Sequence, residues 1–204
     1  VTWAPDYCTL AALKTYMRVT DTVDDALLSE AITQSSRLID KAANRQFGNT
    51  AIEARYYTAR WDNRRNRWVI IVDDFQTVTG LLVAFDSTDD ASYGDLIDEY
   101  RLHPVNSAQR GRPWYRIEVH PDSTVQPTAA ADAVEVRVPW GWTDIPAPIV
   151  GACKLQASRL VNRRDSPYGT TGSPETGSEL RLLAKIDPDV AITVGAFWRP
   201  WGAA

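Results

Sequence analysis

The sequence predicts an α+β fold: a helical core (two N-terminal helices plus a later helix) with an inserted β block and an extended C-terminal arm. Three observations predict it. Apolar residues recur at helical spacing from Leu27 to Ala43 and again from Ile149 to Val161. Between those stretches the pattern switches to short apolar or alternating runs bounded by turn residues. Beyond Ser166 a Gly-, Ser-, Thr- and Pro-rich stretch gives way to an aromatic end. The expected divisions are 1–50 for the N-terminal arm and the first part of the helical core, 51–143 for the β block, 144–166 for the second part of the core, and 167–204 for a linker and docking arm.

The elements follow in order. Val1 to Tyr7, with Trp3, Pro5 and Tyr7, has no helical spacing and reads as an extended arm. Thr9 can cap a short helix through Leu10, Leu13, Tyr16 and Met17. Thr22 and Asp25 have capping-box spacing before the second helix, with Asp in place of the usual Glu or Gln. That helix carries a stripe of Leu28, Ile32, Ser35, Ile39 and Ala42, widened by Leu27, Ala31, Leu38 and Ala43. Gly48 suits a left-handed C-cap. Strand candidates are 54–60, 68–72, 78–85, 100–104, 115–120 and 134–139. The last alternates cleanly, with Val134, Val136 and Val138 on one face and Glu135 and Arg137 on the other. Asp144, Pro146 and Pro148 mark the start of the later helix, whose stripe is Ile149, Cys153, Gln156 and Leu160. Ser166 to Ser178 reads as linker, followed by the apolar strip 180–183. Asp187-Pro188 opens a last short helix through Val194, and the chain ends with Phe197, Trp198 and Trp201.

The chain has 204 residues, 44% hydrophobic and 24% charged, which suits a folded globular protein. Its net charge is -4, with 22 basic against 26 acidic residues, which argues against a protein that coats nucleic acid. No charged-then-apolar leader stands at Val1 and no apolar run approaches the ~18 residues of a membrane helix, so a cytosolic chain is expected. The 2 cysteines, Cys8 and Cys153, lie far apart in helical segments and are expected to be free, buried thiols in a reducing compartment. The 8 Trp favour cores and interfaces.

Signals for chemistry are sparse. His103 and His120 sit in strand-like runs without a CxxC or HxxxH partner, so structural or surface roles are expected and no metal. The acidic residues Asp86, Asp89, Asp90, Asp95, Asp98 and Glu99 lack calcium-loop spacing and read as a solvated loop. No nucleophile elbow, phosphate loop or dinucleotide fingerprint occurs, so no catalytic residue and no cofactor are expected. The charge distribution says more. Arg60, Arg64, Arg65 and Arg67 cluster between two strand candidates, at a hairpin tip, while the 86–99 loop carries no Lys or Arg. Opposite projections could join copies of the chain head to tail. Candidate interface residues are therefore Arg64, Arg65 and Arg67 facing Asp89 and Asp90, with Trp198 and Trp201 docking on a partner.

The N-terminal helices also carry a family resemblance. Leu10-Ala-Ala-Leu13-Lys14, Tyr16-Met-Arg18-Val19, Asp24-Asp25-Ala-Leu27-Leu28, Ser36-Arg37-Leu38-Ile39 and Arg45-Gln-Phe47 resemble the head-to-tail connector (adaptor) proteins of long-tailed bacteriophages. That family opens with a short helix, Asp-Asp, and a long helix ending in Arg-x-Phe. The stretch 146–164, starting at Pro146 and ending near Asn162-Arg163, looks like the family's later helix. The resemblance implies a ring, usually a dodecamer, between the portal and a stopper or tail-completion protein in the virion neck, assembled in the host cytoplasm. DNA would pass through the hole without sequence-specific binding, and no membrane is involved. An acidic chain suits such a passage, because it does not grip the phosphate backbone. Two other classes stay open. One is a glycan- or peptide-binding module using Trp61, Trp68, Trp114, Trp140 and Trp142. The other is a hydrolase using His120 and a carboxylate.

Overall fold

The computed structural model describes residues 3–165, 170–171, 180–181 and 186–199. They divide into two compact units. Trp3 and Gly48–Asp144 form a sheet unit; Ala4–Phe47 and the described residues between 145 and 199 form a helical unit.

In the helical unit, α1 spans Leu10–Met17. Thr9 caps it, its Oγ1 accepting the Ala12 amide at 3.2 Å. The second helix, α2, spans Asp25–Ala43 and buries Leu28, Ile32, Ser35 and Ile39, as the stripe requires. Leu38 departs from the expected stripe and is 39% exposed. The Thr22–Asp25 capping box does not form. Asp24 holds the N-cap position without a side-chain capping bond. The Asp25 carboxylate instead pairs with Lys14 Nζ at 2.6 Å, tying α2 to α1. Asn44, at φ 52°, provides the left-handed C-cap in place of Gly48. The third helix, α3, spans Ala147–Asp165 with Pro148 in its first turn, and packs on α2. The fourth, α4, spans Pro188–Gly195. Asp187 caps it by accepting the Asp189 amide at 2.8 Å, and its other carboxylate oxygen accepts from Arg159 Nη1.

The segments 4–7 and 187–199 both pack within this unit. Tyr7 is 1% exposed; its hydroxyl donates to Asp40 and accepts the Phe47 amide at 3.1 Å. Burial first, then Asp40, push that hydroxyl above the ordinary phenol range, so it stays a donor. Arg37 Nη2 donates to the Pro5 carbonyl at 2.6 Å. From Ala4 to Tyr7, therefore, the expected extended arm is a strap on α2. In the later segment Val190, Val194 and Phe197 are buried, and Phe197 meets Phe47 edge-on with centroids 5.7 Å apart. The Arg199 amide donates to the Ala43 carbonyl at 3.0 Å, and Asn44 Nδ2 donates to the Arg199 carbonyl at 2.9 Å.

The sheet unit holds eight strands in one curled, half-barrel sheet: β1 (Asn49–Tyr57), β2 (Arg60–Asp62), β3 (Arg67–Phe75), β4 (Leu82–Phe85), β5 (Asp95–Leu96), β6 (Tyr100–His103), β7 (Trp114–Val119) and β8 (Val134–Gly141). The path runs β5-β4-β8-β3-β7-β6, with β1 on β8 and β2 on β3. The chain thus leaves the edge of β8 and joins β3 across Thr58-Ala59. Its concave face holds its own core, including Ile70, Val72, Phe75, Ile117, Val136 and Trp140. Where β8 meets both β1 and β3, Gly141 (φ 100°) leaves room for Gly48, whose carbonyl oxygen would lie 1.9 Å from an added Cβ. Beyond α3, two short strands, β9 (Thr170–Thr171) and β10 (Leu180–Arg181), pair antiparallel in the stretch expected to be linker and apolar strip.

These features correct the expected fold class. The protein is a mixed α/β chain with four described helices, dominated by a large sheet; it is not a helical core carrying a β insert and an extended arm. The short runs read from sequence undercount the sheet because β1 begins at Asn49 and β3 continues through Asp73-Asp74 to Phe75. Tertiary pairing extends strands through polar residues that local propensity disfavours.

Candidate functional site

The arginine cluster lies at the β2–β3 hairpin tip, 63–66, flanked by the cross-strand pair Trp61↔Trp68. Asp62 organises the turn. Its Oδ1 accepts the amides of Arg64 and Arg65 at 2.9 and 3.2 Å, and its Oδ2 takes Arg65 Nη1 at 2.6 Å. These bonds hold the Asp62 carboxyl below the usual range. Arg65 also lies 3.4 Å from Glu118 Oε1. Glu118, on β7, is 4% exposed and faces Arg116 at 3.1 Å and His103 Nε2 at 3.1 Å. Burial first depresses the His103 pKa and the surrounding arginines reinforce it, against Glu118, so the ring is neutral at neutral pH. Arg65 is therefore committed within its own unit. Arg64 is exposed and Arg67 half-buried, and neither makes an ion pair among the described residues.

The acidic loop is braced, which the reading of a solvated loop missed. Asp86 is 6% exposed and accepts the amides of Thr88, Asp89 and Ala91 at 3.1, 2.9 and 2.7 Å. Burial pushes its carboxyl up, and the loop amides more than offset this, holding it below the usual range. Asp90 accepts from Thr88 Oγ1 and the Ser92 amide. Asp98 takes both hydroxyls of Ser123 and Thr124, pinning the β7–β8 connection. Asp89 is exposed, and its carboxylate makes no hydrogen bond or ion pair among the described residues. By register, this loop and the hairpin tip lie at the same end of the sheet. Phe85 pairs with Val134 at the start of β8, and β8 runs parallel to β3 at Phe75↔Gly141. No ion pair among the described residues joins them.

Trp198 is 56% exposed, on the segment that closes over α2. Trp201 lies outside the described residues. The tryptophans of the sheet unit do not form one platform: Trp140 and Trp142 are 0% and 2% exposed, while Trp61 is 44% exposed, edge-on to Trp68 with centroids 5.4 Å apart.

Of two further clusters, the first was not foreseen and the second sets carboxylates beside the His120 that the hydrolase reading singled out. On the inner side of β1, Arg55 pairs with Asp73 and Glu53, each at 2.6 Å, and its guanidinium lies 4.6 Å from the Trp3 ring centroid and 4.9 Å from that of Trp140. Tyr57 donates to Asp73 at 3.1 Å; burial, then the Asp73 charge, push its hydroxyl above the ordinary phenol range. Period-2 spacing of Glu53, Arg55 and Tyr57 could have signalled this face. The second cluster is Glu99, His120 and Asp122, whose ligand atoms lie within 4.8 Å of one another. The β6–β7 ladder brings it about, the His120 amide donating to the Glu99 carbonyl at 2.8 Å. One imidazole and two carboxylates could hold a divalent ion. The His120 Nδ1 lone pair already accepts the Asp122 amide at 3.3 Å, however, and Asp122 is 80% exposed, so an ion would have to break that bond and still order a solvated carboxylate.

No protein-family model matches the chain, and no curated protein matches it.

Proposed function

We propose that this chain is a structural, ring-forming subunit of the head-to-tail adaptor kind, placed between a portal and a tail-proximal stopper with DNA passing through the ring. One observation carries the reading. The stretches that resemble the adaptor family, two consecutive near the N-terminus and one far downstream beyond the sheet unit, fold into α1, α2 and α3 and pack as one unit. Exposed Arg64 and Asp89, together with Trp198, supply charge and aromatic area for contacts between copies or with the portal. The partners, the ring and its dodecameric count belong to this proposal, as does a place in the virion neck. No helix among the described residues is long and apolar enough to cross a membrane.

Light scattering of the purified chain, alone and mixed with isolated portal, tests the proposal. A closed oligomer, or one that forms only on portal, is the expected result. A monomer under both conditions overturns it. The second reading, a glycan- or peptide-binding module, is favoured by the half-exposed Trp61. It predicts saturable quenching of tryptophan fluorescence by a ligand, lost in Trp61→Ala.

A further inference from the structure

We propose that Cys8 and Cys153 are a modification site at which a small-molecule disulfide converts two buried thiols into a bridge between the N-terminal strap and α3. This goes beyond the adaptor reading and does not depend on it.

Residues 145 positions apart in sequence meet in the core of the helical unit, with Sγ atoms 3.6 Å apart. Both thiols are free, and their residues are 8% and 0% exposed. The sulfurs must close by roughly 1.5 Å to reach bonding distance, which is within the reach of side-chain rotation. The surroundings hold them in place. Ser36 Oγ, on α2, accepts the Tyr7 amide at 2.9 Å and donates to the Ile32 carbonyl at 2.8 Å. That fixes the backbone immediately before Cys8. Ser36 Oγ also lies 3.5 Å from Cys153 Sγ. This contact ties the Cys153 side chain to the same serine that holds the strap. The hydrogen bond with Cys153 and then burial push the Cys8 thiol up. The pair is preorganised for bridging: the hydrogen bond with Cys8, against burial and with help from Ser36, holds the Cys153 thiol below its usual range, so alkaline pH serves chiefly to ionise the raised Cys8.

The step balances with oxidised glutathione as oxidant. The Cys8 thiolate, on the more exposed residue, attacks one sulfur of the reagent, breaking its S–S bond and releasing one glutathione thiolate. Cys153, losing its proton, then attacks the Cys8 sulfur of the mixed disulfide and expels the second glutathione thiolate. The protein loses two protons and two electrons, and the reagent is reduced to two thiols. The bridge closes a loop containing α1, α2 and Gly48–Asp144 of the sheet unit. Closing so long a loop restricts the unfolded chain strongly.

The test uses the whole chain, purified with reductant and exchanged into oxidised glutathione at pH 8.5. A second sample is refolded in a glutathione redox buffer. Both are then denatured, alkylated with N-ethylmaleimide and weighed by mass spectrometry. The expected result is no alkylation, a mass 2 Da below that of the reduced chain, a digest peptide joining the two cysteines, and a Tm raised by roughly 5–15 °C that falls back with reductant. Cys153→Ala is expected to stop at the glutathione adduct on Cys8. Two alkylated thiols in both samples overturn the proposal, as does a bridged chain whose Tm does not rise.

Discussion

Gly141 shows how one residue can decide the sheet unit. It sits at φ 100° with no space for a Cβ against the Gly48 carbonyl, at the point where β8 meets β1 and β3. Gly141→Ala is expected to destabilise by about 2–4 kcal/mol, measured by denaturant unfolding. Glu118 is the second such residue, a buried carboxylate facing two arginines and a histidine. Its arginine partners remain partly solvated, so Glu118→Gln is expected to cost about 1–3 kcal/mol. His103 gives the site a pH dependence. Its folded pKa lies below the 6.5 of a free imidazole, so the unfolded chain binds the proton more readily. Its contribution is complete above that pH and is lost as the pH falls through 6.5 toward the folded value. Tm is therefore expected to drop between pH 7 and 5, and His103→Gln to flatten part of the drop.

At the scale of elements, the β2–β3 hairpin separates two roles that a run of arginines confounds. Arg65 braces the turn through Asp62 and reaches Glu118, so Arg65→Glu is expected to lower Tm whatever the assembly does. Arg64 is exposed, and Arg64→Glu is expected to change stability by less than about 0.5 kcal/mol. If the tip meets a neighbour, that same variant weakens the ring in light scattering; unchanged rings would remove Arg64 from the interface. The α4 segment is the other informative element. Asp187 caps the helix and receives Arg159, so Asp187→Ala is expected to cost about 1–2 kcal/mol. Amide exchange should then speed up across 187–199 ahead of α2. Of the aromatic end expected to dock on a partner, Phe197 packs edge-on against Phe47 and the Arg199 backbone bonds to Ala43 and Asn44, while Trp198 stays exposed.

For the whole molecule, what the sequence by itself determined is local. The 3.6-residue stripe of α2, the Thr9 and Asp187 caps, the alternation of β8 and the turn at 63–66 each depend on backbone preference and side-chain period within a few residues. Such signals survive without partners and were legible. The site was legible only as an arginine cluster and an acidic run; that Asp86 and Arg65 are spent inside the fold was not. Only the tertiary structure decided that β1 pairs with β8, that the sheet outweighs the helices, and that Glu99 meets His120 and Cys8 meets Cys153. The physical reason is that strand pairing and helix packing join residues whose local patterns fit many partners. The choice among those partners is made by the core they bury together.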